Sequence, residues 1–233
     1  MRRSRRARPL AAVAGVIAMA AVVSMAAAAV CYHTGPLPSK TGAPAVAGSA
    51  AEPNCTQCHV TFGDTGQIPN LDTPGGAVQI LDLPHSYRPG NTYAVRVRLD
   101  SDSTRVSADR RWGFQLTAVA ATTGLGAGSF VVPSADTLQV IAGDPSQPWP
   151  TRTYVEHTAD GLHQSQAGPV EWRLFWKAPD APAGTVRFFA AGNAANGSLD
   201  ASGDFIYTTA DTVTDTTTAV ANISWGRLKA RYR

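Results

Sequence analysis

Large apolar side chains occupy every second position in several short runs of this chain, most clearly in residues 93–99 and 170–177. A β-strand points successive side chains to opposite faces, so each run predicts a strand with one buried and one solvated face. For the second run, the expected core set is Val170, Trp172, Leu174 and Trp176, and the expected solvated set is Glu171, Arg173 and Lys177. We interpret Trp172, Trp176 and Phe188 as core packing.

Further alternating or β-rich runs predict strands near residues 78–80, 114–118, 129–132, 138–141, 154–158, 186–190 and 205–212. Turn residues separate the runs, for example Pro89, Gly90 and Asn91. Seven to nine short strands without a convincing amphipathic helix predict an all-β, two-sheet sandwich over residues 76–218. The Thr-rich stretch 208–218 is interpreted as an edge strand, because threonine is a good strand residue.

The two flanks of this sandwich have a different character. Residues 30–75 show little periodicity, and prolines and glycines recur through them, which predicts an ordered but irregular N-terminal arm. Residues 219–233 form a basic C-terminal tail that carries Arg227, Lys229, Arg231 and Arg233. We interpret the tail as a solvated last strand in preference to a segment that touches an anionic surface.

The first 29 residues predict a signal peptide. A run of basic positions precedes the apolar stretch 10–30, which ends in small residues at Ala28 and Ala29. We therefore expect an exported protein, periplasmic or at the cell surface. An uncleaved apolar anchor is the alternative, and a lipidated Cys31 a weaker one, so any membrane attachment is expected at the N-terminus.

The net charge changes once this segment is removed. The whole chain has 20 Lys and Arg residues against 17 Asp and Glu, a net charge of +3. Five of the arginines lie among the first eight residues, so the mature chain has 15 basic residues against 17 acidic ones. That balance lacks the basic excess of nucleic-acid-binding proteins, and we expect no nucleic-acid partner.

One motif in the arm carries chemistry. Cys55, Cys58 and His59 form C-x-x-C-H, the attachment pattern of c-type haem, in which two thiols bind the porphyrin and the histidine binds the iron. Export agrees with haem, because this attachment takes place outside the cytoplasmic membrane. Three alternatives stay open: a disulfide between the cysteines, a zinc site completed by histidines, and a redox-active dithiol.

The sixth iron ligand can be narrowed by elimination. All three methionines precede residue 30, so a mature chain has none to offer. The remaining histidines are His33, His85, His157 and His163. His157, on a predicted strand, is the preferred distal ligand and His85 the second choice, with an open or water-ligated iron as the alternative.

No set of residues predicts a catalytic centre. Serines, histidines and acids are scattered without a nucleophile–base–orienter arrangement, so we expect no enzyme, apart from peroxidase-like chemistry if the sixth iron position is open. Asn193, Asn196, Asp200 and Asp204 lie among glycines and could supply oxygen ligands to calcium. The same residue types are ordinary in a long hairpin turn, which is the preferred interpretation.

A family resemblance runs through nearly the whole chain after the signal segment. The segments that carry it are TGAP at 41–44, NCTQCH at 54–59, YRPGNTY at 87–93, GFQLTA at 113–118, YVEHT at 154–158, residues 172–179, GTVRFFAAGNAANG at 184–197 and GDFIY at 203–207. Together they resemble the bacterial Reeler-like domains, also called choice-of-anchor V domains. The resemblance implies an extracellular, immunoglobulin-like sandwich with C-x-x-C-H near its N-terminus and a Tyr-x-x-His-Thr strand later.

The chain departs from that family in two places. The stretch between Pro44 and Cys55 is longer than usual, and the C-terminus has no apolar or sorting-type anchor. The resemblance supplies no biochemical activity, and a fold alone cannot supply one. Two hypotheses remain. The first is an exported monohaem module for electron transfer or redox or gas sensing, with an unknown redox partner or surface protein. The alternative is a non-catalytic adhesion or structural domain with a Cys55–Cys58 disulfide.

Overall fold

A computed structural model describes residues 33–59, 70–102, 108–198 and 201–216. Ten strands lie within these ranges. They are β1 (Gly76–Leu81), β2 (Ser86–Tyr87), β3 (Thr92–Ser101), β4 (Arg111–Ala120), β5 (Ser129–Val131), β6 (Leu138–Ala142), β7 (Thr153–His157), β8 (Val170–Lys177), β9 (Thr185–Ala195) and β10 (Phe205–Asp215). Single 3-10 turns occur at Cys55–Gln57 and Ala159–Gly161.

The strands form two sheets that face each other. One has four strands in the order β1-β3-β8-β5, and the other has six in the order β2-β10-β9-β4-β7-β6. All pairings are antiparallel except the short contact between β10 and β2. The predicted all-β, two-sheet sandwich is confirmed. No helix among the described residues is long and apolar enough to span a membrane.

The core between the sheets follows the alternation in the sequence. On β8, Val170, Trp172, Leu174 and Trp176 are all buried, and the residues between them point away from the core. Aromatic rings join the two sheets: Trp176 lies 5.0 Å from Phe188 in an edge-on arrangement. Side chains that interdigitate in this way exclude water from the whole interface, which is the main source of stability in such a fold.

The outer face of the six-stranded sheet is also covered, by the N-terminal arm. β4 is buried on both faces over nearly its full length, so Gln115 and Thr117 are inaccessible to water. The arm contributes Ala43 and Val46 to a small apolar cluster with side chains of β4 and β9. The arm therefore forms a third layer over one sheet, where a plain sandwich would face solvent.

A buried ionic group fixes this layer in place. Arg152, just before β7, donates to Glu52 of the arm at 2.5 Å, and neither side chain is exposed to water. Glu52 also accepts hydrogen bonds from the hydroxyls of Tyr154 and Thr41. We call Glu52, Arg152 and Tyr154 the anchoring cluster. Charges buried this completely need their partners, so the cluster ties the arm to one position.

Several predictions fall outside the described residues. The signal segment 1–29, Cys31, Asp200 and the basic tail 219–233 belong to the parts that the structure does not describe. The Thr-rich stretch does form a strand, since β10 continues to Asp215, and β10 pairs with β2 only through Thr214 and Asp215.

Candidate functional site

The C-x-x-C-H motif forms one short helical turn. Asn54 caps it by accepting a hydrogen bond from the backbone of Thr56 at 2.9 Å. The backbone amides of Cys58 and His59 both donate to the carbonyl of Cys55. Residues three and four positions apart lie on the same side of a helical turn, so the two sulfurs and the imidazole share one face.

That face borders a cavity of about 770 Å³. The arm supplies Cys55, Cys58 and His59 to its wall. Another part of the wall is one end of the six-stranded sheet, where β4 starts and where β7 and β9 end, and it includes His157 and Asn193. The volume falls within the range of small-molecule and cofactor pockets. The cavity thus joins a motif and a histidine that are almost a hundred residues apart in the sequence.

His157 lies where the ladder between β4 and β7 ends. Its side chain is buried, and Nδ1 lies 3.0 Å from the backbone nitrogen and 3.2 Å from the carbonyl oxygen of Phe114. Burial lowers the pKa of His157 to about 4, so the imidazole is neutral at physiological pH. The backbone N–H of Phe114 donates to Nδ1, and in that tautomer the ring proton is on Nε2. In the other tautomer Nδ1–H donates to the Phe114 carbonyl and Nε2 keeps a free lone pair, which is the form that would bind a metal.

Gly113 leaves room for this imidazole. A Cβ atom at position 113 would lie 2.5 Å from Cε1 of His157 and 3.0 Å from both ring nitrogens. The ring therefore packs directly on the backbone of β4, and any side chain at this position would displace it.

His59 is held from its other side. Its Nδ1 lies 2.5 Å from Oδ2 of Asp204, a residue that is 1% exposed. Oδ1 of Asp204 accepts a hydrogen bond from the backbone nitrogen of Asn196 at 2.9 Å. The amide of Asn70 donates to the backbone carbonyls of both His59 and Asp204. The imidazole is thus fixed through Nδ1.

The thiols are free in this structure, and Cys55 is not poised as a thiolate. Both cysteines are partly buried and unpaired with each other. Desolvation raises the pKa of Cys55 to about 12, so its sulfur is neutral at physiological pH. A zinc ligand or an attacking dithiol needs a thiolate, whereas a thioether carries no charge. The environment of Cys55, without a bound cation, therefore favours an uncharged sulfur.

The residues around the cavity fit a haem. The motif face provides two sulfurs and an imidazole, and His157 provides a second imidazole on the same cavity. Each imidazole has an oxygen acceptor beside Nδ1, so the tautomer with the proton on Nδ1 would leave Nε2 for iron. In the structure, the Phe114 N–H also contacts Nδ1 of His157, and the side-chain amide of Asn193 lies 3.3 Å from Nε2 of His59. Asn193 also lines the cavity, and its buried Oδ1 has no hydrogen-bond partner among the described residues. A polar ligand in the cavity would satisfy that atom.

A metal ion held by protein side chains alone would need several ligands close together. Among the described residues, no group of three or more His, Cys, Asp or Glu side chains could hold a metal ion. A porphyrin supplies four of the six iron ligands itself, so a haem needs only one or two from the protein. Two of the four suggested calcium ligands have other partners, since Asp204 binds His59 and the side chain of Asn196 caps Ser198.

The other histidines differ in position. His85 is exposed and is not part of the cavity wall. His163 packs against Trp172, with ring centres 5.1 Å apart, and is also absent from the wall. His33 is exposed but does line the cavity, a position that its sequence context did not indicate. Nor did the sequence indicate Asp204 as a partner of His59.

Comparisons with known proteins describe the fold only. No family model matches the chain, and no curated protein sequence matches it. It is similar to the human F-spondin reeler domain, at 18% identity and a TM-score of 0.38, over 60% of this chain and 89% of that one. It is also similar to a cohesin module of a Clostridium perfringens family 33 glycoside hydrolase, at 10% identity and a TM-score of 0.40, over 61% and 98%. The two-sheet sandwich is confirmed by the strand order of the structure itself, and membership of the Reeler-like, choice-of-anchor V family stays a prediction.

Proposed function

We propose that this chain is an exported monohaem module that carries single electrons. Cys55 and Cys58 hold the haem covalently, His59 binds the iron as proximal ligand, and His157 binds it as distal ligand. One observation carries the proposal: the attachment motif and a buried neutral histidine line the same cavity, although the sequence separates them widely. The cavity is large enough for a cofactor, and its donor atoms are those that c-type haem uses.

Attachment of the haem would form two thioether bonds from protonated thiols. Cys55 and Cys58 would each hold the porphyrin through one thioether bond, the product of adding S–H across a vinyl double bond, with the hydrogen on the other vinyl carbon. No electron is gained or lost, and no group leaves. The helical turn at Cys55–Gln57 presents both sulfurs and the imidazole on one face, which is the arrangement that this attachment requires.

Electron transfer follows from the ligands. The bound haem would supply an iron that changes its oxidation state by one electron. His59 and His157 would fill both axial positions, which leaves no site for a substrate. Because Asp204 and Phe114 hold the two imidazoles, little rearrangement is needed when the charge changes. If His157 does not bind, the open position would permit gas sensing or peroxidase-like chemistry instead.

The first experiment tests attachment. Protein made with a cytochrome c maturation system should be red, should give a c-type pyridine haemochrome spectrum and should keep its haem on a denaturing gel. The matched control replaces both cysteines, Cys55→Ala with Cys58→Ala, and should lose the haem. A colourless wild-type protein from a host that matures a known cytochrome would reject the proposal.

The second experiment tests the distal ligand. His157→Ala should change the oxidised spectrum from low-spin to high-spin and allow carbon monoxide to bind the reduced protein. His85→Ala and His163→Ala are the matched controls and should leave the spectrum unchanged, because neither side chain lines the cavity. His33→Ala tests the other histidine of the wall. A low-spin spectrum that survives His157→Ala would reject this assignment.

An adhesion or structural domain is the second candidate. The observation that favours it is that the inter-sheet core is complete without the arm motif, so the sandwich needs no cofactor to be stable. The fold by itself therefore fits this role at least as well as it fits a haem carrier. In this case Cys55 and Cys58 would be cross-linked in the exported protein. Thiol titration of the denatured protein before and after reduction separates the two candidates, since a disulfide releases two thiols on reduction and a thioether releases none.

A further inference from the structure

We infer that Asp204 is a positioning residue that sets the reduction potential of the iron through His59, an inference that rests on the proposed function. Its basis is the contact between Asp204 Oδ2 and His59 Nδ1, at 2.5 Å, on the side of the ring away from the metal-binding nitrogen. The two residues are 145 positions apart in the sequence, so only the folded protein brings them together.

The surroundings of Asp204 show that the carboxylate is held for this contact. It is 1% exposed, and its two oxygens have separate partners: Oδ2 faces His59, and Oδ1 accepts from the backbone nitrogen of Asn196. Asn70, itself buried, donates to the backbone carbonyls of Asp204 and His59 and so fixes the distance between them. Neither the carboxylate nor the imidazole can turn away without breaking these bonds.

The hydrogen bond between Asp204 and His59 would affect the reduction potential through the Nδ1 proton that they share. A carboxylate that accepts the Nδ1 hydrogen draws positive charge toward itself and makes Nε2 a stronger electron donor. A stronger donor, together with a buried negative charge nearby, stabilises the ferric iron more than the ferrous iron. Asp204 therefore lowers the reduction potential. His157 differs, because its Nδ1 faces a neutral backbone carbonyl.

The experiment measures the midpoint reduction potential of the haem-loaded protein. Asp204→Asn keeps the shape of the side chain but removes its charge, so we expect the potential to rise while the haem stays attached. Asp211→Asn is the matched control, because it makes the same change of charge at an exposed position on β10. Seven residues of extended chain, about 23 Å, separate Asp211 from Asp204. Its potential should stay at the wild-type value.

The outcomes separate this inference from the proposed function. A wild-type protein without haem overturns both. A haem-loaded Asp204→Asn variant with the wild-type potential overturns the role of Asp204 alone and leaves the proposed function standing.

A second measurement needs no variant and covers the case in which Asp204→Asn does not fold. In the reduced wild-type protein, NMR should show the Nδ1 proton of His59 far downfield and slow to exchange, as expected of a short bond to a buried carboxylate. A proton at the ordinary imidazole position that exchanges freely would reject the inference.

Discussion

The two buried interfaces of this protein are built on different principles. Between the sheets, the contact is almost wholly apolar and aromatic, and many side chains contribute a little each. Between the arm and the six-stranded sheet, a cluster of four buried apolar residues is joined by a set of buried polar contacts. There a few partners, above all Glu52 and Arg152, determine whether the arm stays in place.

Because of this difference, the stability of the sandwich and the candidate site depend on different regions of the molecule. The inter-sheet core can hold the sandwich together without the arm, while the arm carries the cysteine motif and closes the cavity. A change in the core should therefore weaken the whole domain. A change in the polar interface should act first on the arm, because local opening follows the regions with the fewest apolar contacts.

The largest effect is expected in the inter-sheet core. Trp176 is fully buried and contacts Tyr87 and Phe188, with ring centres 5.3 and 5.0 Å away. Trp176→Ala removes these contacts and leaves a cavity, so it should lower the free energy of unfolding by about 3–5 kcal/mol. Urea denaturation followed by far-UV circular dichroism measures this, and a loss below about 1 kcal/mol would show that the core is not organised as described.

The second-largest loss of stability is expected from a change in the anchoring cluster. Glu52→Leu leaves the buried guanidinium of Arg152 without its charged partner, which should cost about 3 kcal/mol. The loss should appear first as faster amide hydrogen exchange in residues 39–52, before the strands are affected.

The double variant sharpens this prediction. Glu52→Leu with Arg152→Met removes both charges, so it should cost less than Glu52→Leu alone. A double variant that is less stable than the single one would mean that the ion pair itself is not what holds the arm.

A smaller effect is expected at the cavity wall. Gly113→Ala puts a methyl group against the His157 ring, which cannot shift without losing its contacts to Phe114. The overcrowding should cost about 1–3 kcal/mol in the denaturation experiment. In a His157→Ala background the same change should cost little, because the clash is gone. An equal cost in both backgrounds would contradict this packing.

The smallest effect is expected on the solvated face of β8. Arg173 points away from the core and is exposed. Arg173→Ala should change the free energy of unfolding by no more than about 0.5 kcal/mol in the same denaturation experiment. A loss comparable with that of Trp176→Ala would mean that the register of β8 is wrong.

The sequence predicts the parts of the fold that rest on alternation. β3 and β8 follow it because one face of each is buried and the other is not. The middle of β9 is buried on both faces, since Phe189 packs with the arm on the outer side of the sheet. β4 departs from it: Gln115 and Thr117 are polar at every second position, which indicates a solvated face, yet the arm covers them. The two-residue strand at Ser86–Tyr87 is too short for any alternation to predict it.

In the candidate site too, the sequence predicts the part that depends on local contacts and misses the part that depends on distant ones. The spacing of Cys55, Cys58 and His59 fixes their common face, because a single helical turn needs only local hydrogen bonds. The side chains that contact the imidazole ring of His59 are Asp204 and Asn193, both more than a hundred positions away in the sequence. No local pattern could therefore reveal Asp204 in this role. His157 lines the same cavity as the motif, and its binding to iron stays a prediction.

The contact between His59 and Asp204 also has a consequence for the order of events during synthesis. The motif leaves the ribosome early, whereas Asp204 and Asn193 are made near the end of the described chain. Contacts of such large sequence separation form late in folding, because the intervening loop must close first. Until β9 and β10 exist, the arm has no surface on which to dock its motif. The two thiols therefore lack their docking surface until β9 and β10 have been made, and the fold leaves an interval in which another molecule could reach them.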